Sequence, residues 1–259
     1  MGREIIRLLV HSPDAELRAA VEAPGHPAVG QDAGHVANTS PVGVRVTDQL
    51  VSALDGKSVL VEFTSPEATL AHARLAASHG NPVVIGTTGF SPEQQRELDA
   101  LVSTVPAVVS PNMSVGVAVL TELVQIAARA LGEAFDVEII EMHHRFKKDA
   151  PSGTALALAR AANVGVAEKK LCFGRHGAVQ RSPGEIGVFG VRGGDIVGDH
   201  TVLFAGFGER LELVHRAQSR ESLARGAIRA AQWLFGRPVG RYSMADVLGL
   251  QKSALEGAQ

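Results

Sequence analysis

The run Glu141-Met142-His143-His144-Arg145-Phe146-Lys147-Lys148-Asp149-Ala150-Pro151-Ser152-Gly153-Thr154-Ala155 concentrates more reactive side chains than any other stretch of the chain. It leads from a strand end through a basic loop into a helix start. Two adjacent histidines, able to exchange protons near pH ~6.5, stand beside Arg145, Lys147 and Lys148. That combination suits an anionic substrate that gains a proton. After Pro151, Ser152-Gly153-Thr154 opens a helix and offers N–H groups and a hydroxyl to a carboxylate, with Gly153 allowing close approach to the backbone. A solvated basic loop with Ser152 as an ordinary N-cap is equally compatible with the composition. A metal centre fits poorly, because adjacent strand residues point to opposite faces and no third ligand stands at a ligand spacing.

Further candidates precede this run. Gly86-Thr87-Thr88-Gly89 closes an apolar strand, and in an open parallel sheet ligands gather at the carboxyl ends of strands; a plain tight turn would read the same. Ser110-Pro111-Asn112-Met113 also follows a strand. Glu22 ends a strand-like stretch, where an acid can accept from the ribose hydroxyls of NAD or simply be solvated. Arg192-Gly193-Gly194-Asp195 reads as a hairpin turn, and His200, Glu209 and His215 as exposed sheet residues.

Periodicity supplies the elements that must hold these residues. A helix over Glu4–Val10 and a strand-like Glu16–Glu22 precede an irregular segment, Ala23 to Pro41. Strands Ser58–Phe63, Pro82–Ile85 and Ala107–Ser110 then alternate with helices Pro66–His79, Ser91–Ser103 and Val115–Leu131, which predicts a parallel sheet. Beyond Phe135 come a strand Val137–Met142, a helix within Ser152–Asn163, and strands Ile186–Val191, Asp195–Ala205 and Arg210–Arg216. An amphipathic helix, Glu221–Leu234, returns to the first domain. The expectation is an α/β chain. A Rossmann-like, doubly wound dinucleotide-binding domain spans 1–112 plus 229–259, and an α+β substrate-binding and oligomerisation domain with an open mixed sheet spans 113–228. A dinucleotide domain ordinarily begins with an apolar strand and a Gly-rich turn; here Met1-Gly2-Arg3 leads straight into helix, and the reading is a late start that omits both.

Composition excludes several classes of function. With 259 residues, 45% hydrophobic, 20% charged and a net charge of -2, the chain advertises neither a nucleic-acid nor an anionic-membrane surface. A single cysteine, Cys172, and the absence of a charged-then-apolar leader point to the cytoplasm.

HHRFKKDAPSGTA resembles the active-site segment of the dihydrodipicolinate reductases, also called 4-hydroxy-tetrahydrodipicolinate reductases, with the pattern HHxxKxDAPSGTA. The resemblance extends through VEFTSPEATLAH, VIGTTGFS, SPNMSVGV and RGGDIVGDHTVLFAGFGERLELVHRAQSR to the final helix. It implies His143 and Lys147 as proton donors, and His144, Gly153 and Thr154 as ligands of a small cyclic dicarboxylate. It further implies Glu22, Gly86, Thr87, Thr88, Ser110, Pro111, Asn112 and Met113 as cofactor contacts, and a homotetramer built through the second domain's sheet. The implied activity is hydride transfer from NADH or NADPH to C4 of the ring and protonation of the resulting enamine, in the diaminopimelate route to lysine. Met113 stands where relatives often carry an aromatic residue. Ala23 stands where some carry an arginine suited to the 2′-phosphate of NADP, so NADH is favoured. The competing expectation is an inactive or regulatory dicarboxylate-binding chain, for want of the first strand.

Overall fold

Two Ser-Pro steps organise the first part of the chain. Ser65 and Ser91 each cap a helix with the side-chain oxygen, and the proline that follows is preset for the first helical position. The computed structural model describes residues 1–164 and 169–250. The chain divides into two compact units, residues 1–115 with 221–259 and residues 116–220. Residues 251–259, which the sequence reading places in the first domain, lie outside the described residues.

The first unit runs α1 Gly2–Leu9, β1 Ala20–Val21, α2 Ala33–Val36, β2 Val46–Thr47, β3 Leu60–Glu62, α3 Pro66–His79, β4 Val83–Ile85, α4 Pro92–Val102 and β5 Pro106–Val109. Strands β3, β4 and β5 pair in parallel, as the alternation predicts, and β4 is buried along its whole length, as befits a strand covered on both faces. Leu70, Ala73 and Ala76 of α3 and Leu98 and Val102 of α4 pack on Val83, Ile85 and Ala107. Strands β1 and β2 form a separate parallel pair, so only two residues of the predicted Glu16–Glu22 strand are paired. The segment read as irregular is more ordered than its composition suggests. The Asp32 carboxylate accepts from the N–H groups of Gly34, His35, Val42 and Gly43 at 2.8–3.3 Å, tying α2 to the chain ahead of β2.

The second unit follows with α5 Val115–Leu131, β6 Asp136–His143, α6 Gly153–Ala162, β7 Lys170–Cys172, β8 Glu185–Arg192, β9 Gly198–Ala205 and β10 Arg210–Ala217. Its sheet has the order β10-β9-β6-β8-β7, with β6 parallel to β8 and antiparallel to β9. This corrects the hairpin reading of Arg192–Asp195: β8 and β9 are not neighbours, and the link between them passes the end of β6. There Gly193 N–H donates to His143 O (2.9 Å) and Arg145 N–H to Gly194 O (3.2 Å). Period-2 alternation along β6 turns Val137, Ile139, Glu141 and His143 to the buried face, where α5 and α6 supply Leu120, Val124, Leu158 and Ala162. The opposite face leaves Ile140, Val191 and Val214 exposed. The stretch from α5 to Ala134 is long and apolar enough to cross a membrane by length and composition; one side of it, with Val117, Leu120, Val124 and Ala128, is buried, while Val119, Leu123 and Ile126 are exposed.

The chain ends, as described, with α7 Glu221–Leu234, β11 Gly240–Tyr242 and α8 Met244–Leu248. Strand β11 extends the first unit's sheet in parallel beside β5, an element too short to show periodicity. Gly226 lets α7 lie against the loop after β5, because a side chain there would come within 1.7 Å of the Met113 carbonyl oxygen. Gly226→Ala gains about 1 kcal/mol of helix propensity. Overpacking of this kind costs about 1–3 kcal/mol, and more against unyielding backbone. The expected net result is a lower Tm by thermal unfolding, whereas Gly153→Ala, in open space, leaves Tm within about 2 °C of the parent.

Candidate active site

Glu141 is fully buried at the centre of the second unit's sheet, and a carboxylate can sit there only if its lone pairs are filled. Three N–H donors and an imidazole nitrogen surround them. Oε1 accepts from the Ser152 N–H (3.0 Å) and Arg192 Nη2 (2.8 Å), and Oε2 accepts from Arg192 Nη1 (2.9 Å) and faces His143 Nδ1 at 2.5 Å. Gly190, opposite Glu141 on β8, makes room, since a side chain there would lie 2.9 Å from the carboxylate. Burial pushes the Glu141 carboxyl up, but Arg192, His143 and the Ser152 N–H outweigh it and hold it below the usual range.

His143 ends β6 nearly buried, with Nε2 turned away from Glu141 and toward Gly198. Burial lowers its pKa, Glu141 opposes that, and the charges of Lys147 and Arg192 add to the lowering; the net shift is downward. The His200 ring meets it edge-on at 5.2 Å. His200 is 3% exposed, which corrects its reading as an exposed sheet residue, and its Nε2 lies 3.2 Å from Ser152 Oγ. Glu209 is exposed, as expected, but lies in the turn before β10 rather than in a strand, and His215 is half-buried, which corrects its reading as exposed. His144 and Lys147 follow β6 in the loop, where Lys147 N–H donates to His144 O and Lys147 Nζ pairs with Asp149 at 2.8 Å. Ser152 caps α6 through Ala155 N–H (3.2 Å). Its hydroxyl is therefore committed inward, while Gly153 at the first helical position faces open space. His143, His144, Lys147, Gly153 and Thr154 thus lie along one strand end, its loop and one helix start. Among the described residues no group of three His, Cys, Asp or Glu side chains could hold a metal ion.

In the first unit, Gly86–Thr88 and Ser110–Met113 follow the carboxyl ends of the neighbouring strands β4 and β5, and Ser110 N–H donates to Ile85 O (3.1 Å). Gly86 carries no side chain because the Phe63 ring occupies that space. Thr87 is buried and turned inward, with Oγ1 2.7 Å from Thr69 Oγ1 and accepting from Thr64 N–H. Beneath it the nearly buried Glu62 accepts from Thr64 Oγ1 (2.7 Å) and pairs with His72 Nδ1 (2.9 Å), which raises the His72 pKa. Thr88 is exposed, and Met113 is fully buried among core residues. Glu22 is exposed just after β1, its carboxylate accepting from Ala23 N–H (2.9 Å), in a different sheet from β4 and β5. A 420 Å³ cleft lined by Gly30, Gln31, Asp32, His35, Gly43 and Arg45 includes none of the predicted site residues.

Sequence reading missed the roles of Glu141, Arg192, His200, Glu62 and His72. Glu-x-His on a predicted strand puts both side chains on one face, a signal that could have paired Glu141 with His143. Arg192 could not have been found that way, because it reaches Glu141 through a parallel pairing between residues about fifty positions apart.

A parallel sheet with polar loops at its carboxyl ends, joined in one chain to a unit whose buried histidine is backed by a carboxylate, defines an α/β oxidoreductase of the dinucleotide-binding class. Residues 1–113 match the family model for the N-terminus of dihydrodipicolinate reductase and residues 116–248 that for its C-terminus; the chain belongs to the dihydrodipicolinate reductase family. It is 52% identical to the 4-hydroxy-tetrahydrodipicolinate reductase of Anaeromyxobacter sp. (strain Fw109-5), over 98% of this chain and 95% of that one. To the enzyme of the same name from Myxococcus xanthus (strain DK1622) it is 48% identical, over 98% and 96%. The structure of a dipicolinate-bound dihydrodipicolinate reductase from Paenisporosarcina sp. TG-14 superposes with a TM-score of 0.72 at 25% identity, covering 95% of this chain and 94% of that one.

The buried His200 makes the fold sensitive to acid. Burial, with the nearby His143, pushes its pKa down from 6.5 to about 4. The folded state therefore binds fewer protons than the unfolded state between these values, and stability falls with pH through that window by about 3 kcal/mol in total. Urea midpoints measured from pH 7 to pH 4 should show this fall, and a shallower one in His200→Gln.

Proposed function

We propose that this chain reduces 4-hydroxy-2,3,4,5-tetrahydrodipicolinate to 2,3,4,5-tetrahydrodipicolinate, taking up a hydride and a proton and releasing water, in the diaminopimelate route to lysine. The observation that carries this reading is His143, backed by a buried carboxylate and set beside Lys147 and the open start of α6, within a unit that matches the reductase family. His143 delivers the proton from Nε2, and Lys147 serves as a second donor. His144, Gly153 and Thr154 hold the substrate's carboxylates. Dipicolinate, bound by the Paenisporosarcina relative, is a dicarboxylate of the same ring skeleton.

The cofactor is a nicotinamide dinucleotide, which when bound supplies the hydride to C4. The residues present fit it. The backbone N–H groups at the start of α1 suit phosphate oxygens, and Glu4 in that turn is paired with Arg7. The loops after β4 and β5, with Gly86, Thr87, Thr88, Ser110, Pro111, Asn112 and Met113, would hold the nicotinamide end. Of these, the buried Thr87 and Met113 support the loops' shape from within. Glu22 accepts from the ribose hydroxyls, and Ala23 beside it brings no positive charge for a 2′-phosphate, which favours NADH. The uncovered sheet face with Ile140, Val191 and Val214 supports a homotetramer, and a biosynthetic role with one free cysteine supports a cytoplasmic setting.

The test is NADH consumption coupled to a synthase that makes the substrate from pyruvate and aspartate semialdehyde. Turnover is expected, with kcat/KM higher for NADH than for NADPH, and His143→Asn should lower kcat by about 10²–10⁴-fold. A folded protein that binds dipicolinate but turns nothing over would instead be a dicarboxylate-binding chain. Light scattering should give about four times the 27.1 kDa chain mass.

A further inference from the structure

We infer that Glu141 is a positioning residue for the proton transfer: clamped by Arg192 and the Ser152 N–H, it holds the His143 ring by Nδ1 and thereby makes Nε2 the only nitrogen that handles the substrate's proton. The inference rests on the proposed role of His143, and it adds residues that act through that histidine.

The geometry leaves the carboxylate little freedom. Both oxygens are engaged twice, and the residue has no exposed surface, so neither rotation nor solvent can relax it. Arg192 is itself fixed, donating to Val191 O (2.7 Å) and to Asp149 O (2.5 Å). The same guanidinium therefore joins the clamp to the loop that carries Lys147. With Nδ1–H directed to an ionised acceptor, the neutral ring keeps its proton on Nδ1 and leaves Nε2 bare; the protonated ring carries its transferable proton on Nε2. Gly198 preserves the position of that atom, because a side chain there would press to 3.0 Å of Nε2. The charged and titratable groups around His143 are Glu141 on its own strand, Arg192 on β8, His200 on β9 with His215 of β10 behind it, and Lys147 in the loop. Glu141 is the anion in direct contact with the ring and favours the imidazolium that a proton donor requires; Asp149 is paired with Lys147, and Asp199 lies beside His215.

An ion pair that merely joined β6 to β8 would leave the histidine's tautomer and titration unaffected. The deciding measurement is therefore ¹⁵N NMR of the full chain labelled at histidine, followed through a pH titration, beside steady-state kinetics of the parent, Glu141→Gln and Glu141→Asp. In the parent, neutral His143 is expected as the Nδ1–H tautomer. Glu141→Gln should lower the His143 pKa further, shift the fall of kcat to lower pH, and cut kcat by about 10²-fold or more, with KM and nucleotide Kd within about twofold of the parent. Glu141→Asp, which keeps the charge, should recover part of the pH profile. An Nε2–H tautomer in the parent overturns the proposal, and that measurement needs no variant to fold. A His143 titration unchanged in Glu141→Gln overturns it equally. Absence of turnover in a parent with the Nδ1–H tautomer would overturn the reductase reading and leave the clamp standing.

Discussion

A single ionised carboxylate buried at the middle of a sheet is the constraint from which the second unit's architecture follows. Isolated, it would cost several kcal/mol to remove from water. It is kept by a guanidinium from β8, a backbone N–H from the start of α6 and an imidazole two residues along its own strand. Two separate segments, β8 and the start of α6, must therefore converge on β6 at Glu141. Their convergence also places the chemistry: α6 begins where it does because the Ser152 N–H is spent on the carboxylate while the Ser152 hydroxyl caps the helix. The paired strands make room by omission, at Gly190 for Glu141 and at Gly198 for the imidazole. Removing either partner alone would leave a buried charge without compensation, which is why the cluster behaves as a unit rather than as a sum of pairs.

The first unit uses a related device at lower charge. Glu62 ends β3 and gathers Thr64, Thr69 and His72, and Thr69 in turn holds Thr87. The turn Gly86–Gly89 is shaped from beneath by this chain of hydroxyls and from the side by the Phe63 ring, while Gly89 adopts the left-handed conformation that only glycine takes without strain. What faces outward at the carboxyl end of β4 is thus the exposed Thr88 and the backbone of the turn.

Local signals carried most of the fold. Helices α3 and α4 begin at the Ser-Pro steps and α3 ends at Gly80, as their residues dictate. The parallel order of β3, β4 and β5 followed from alternation, and the run Glu141–Ala155 stood out by residue type alone. What stayed hidden was the product of long-range pairing. Arg192 looked like a turn residue because its partner, Glu141, lies on the neighbouring strand β6, about fifty positions earlier in the chain. His200 looked exposed because a strand's period of two identifies two faces without saying which is covered. Strand β11 was invisible because three residues beside β5 have no period to read. The order in the segment after Glu22 escaped notice because one side chain, Asp32, organises it through backbone groups that composition does not display.

The first unit is built from both ends of the chain, with α7 seated through Gly226 on the carbonyl of Met113 and β11 paired beside β5. During synthesis the chain emerges from its N-terminus, so β3, β4 and β5 leave the ribosome well before α7 and before β11, which extends their sheet. Among the described residues, every strand of the second unit's sheet comes from the intervening residues 116–220. Vectorial synthesis therefore lets the second unit's sheet close while β5 still presents an unpaired edge awaiting β11, an interval in which that edge is open to pairing with other chains.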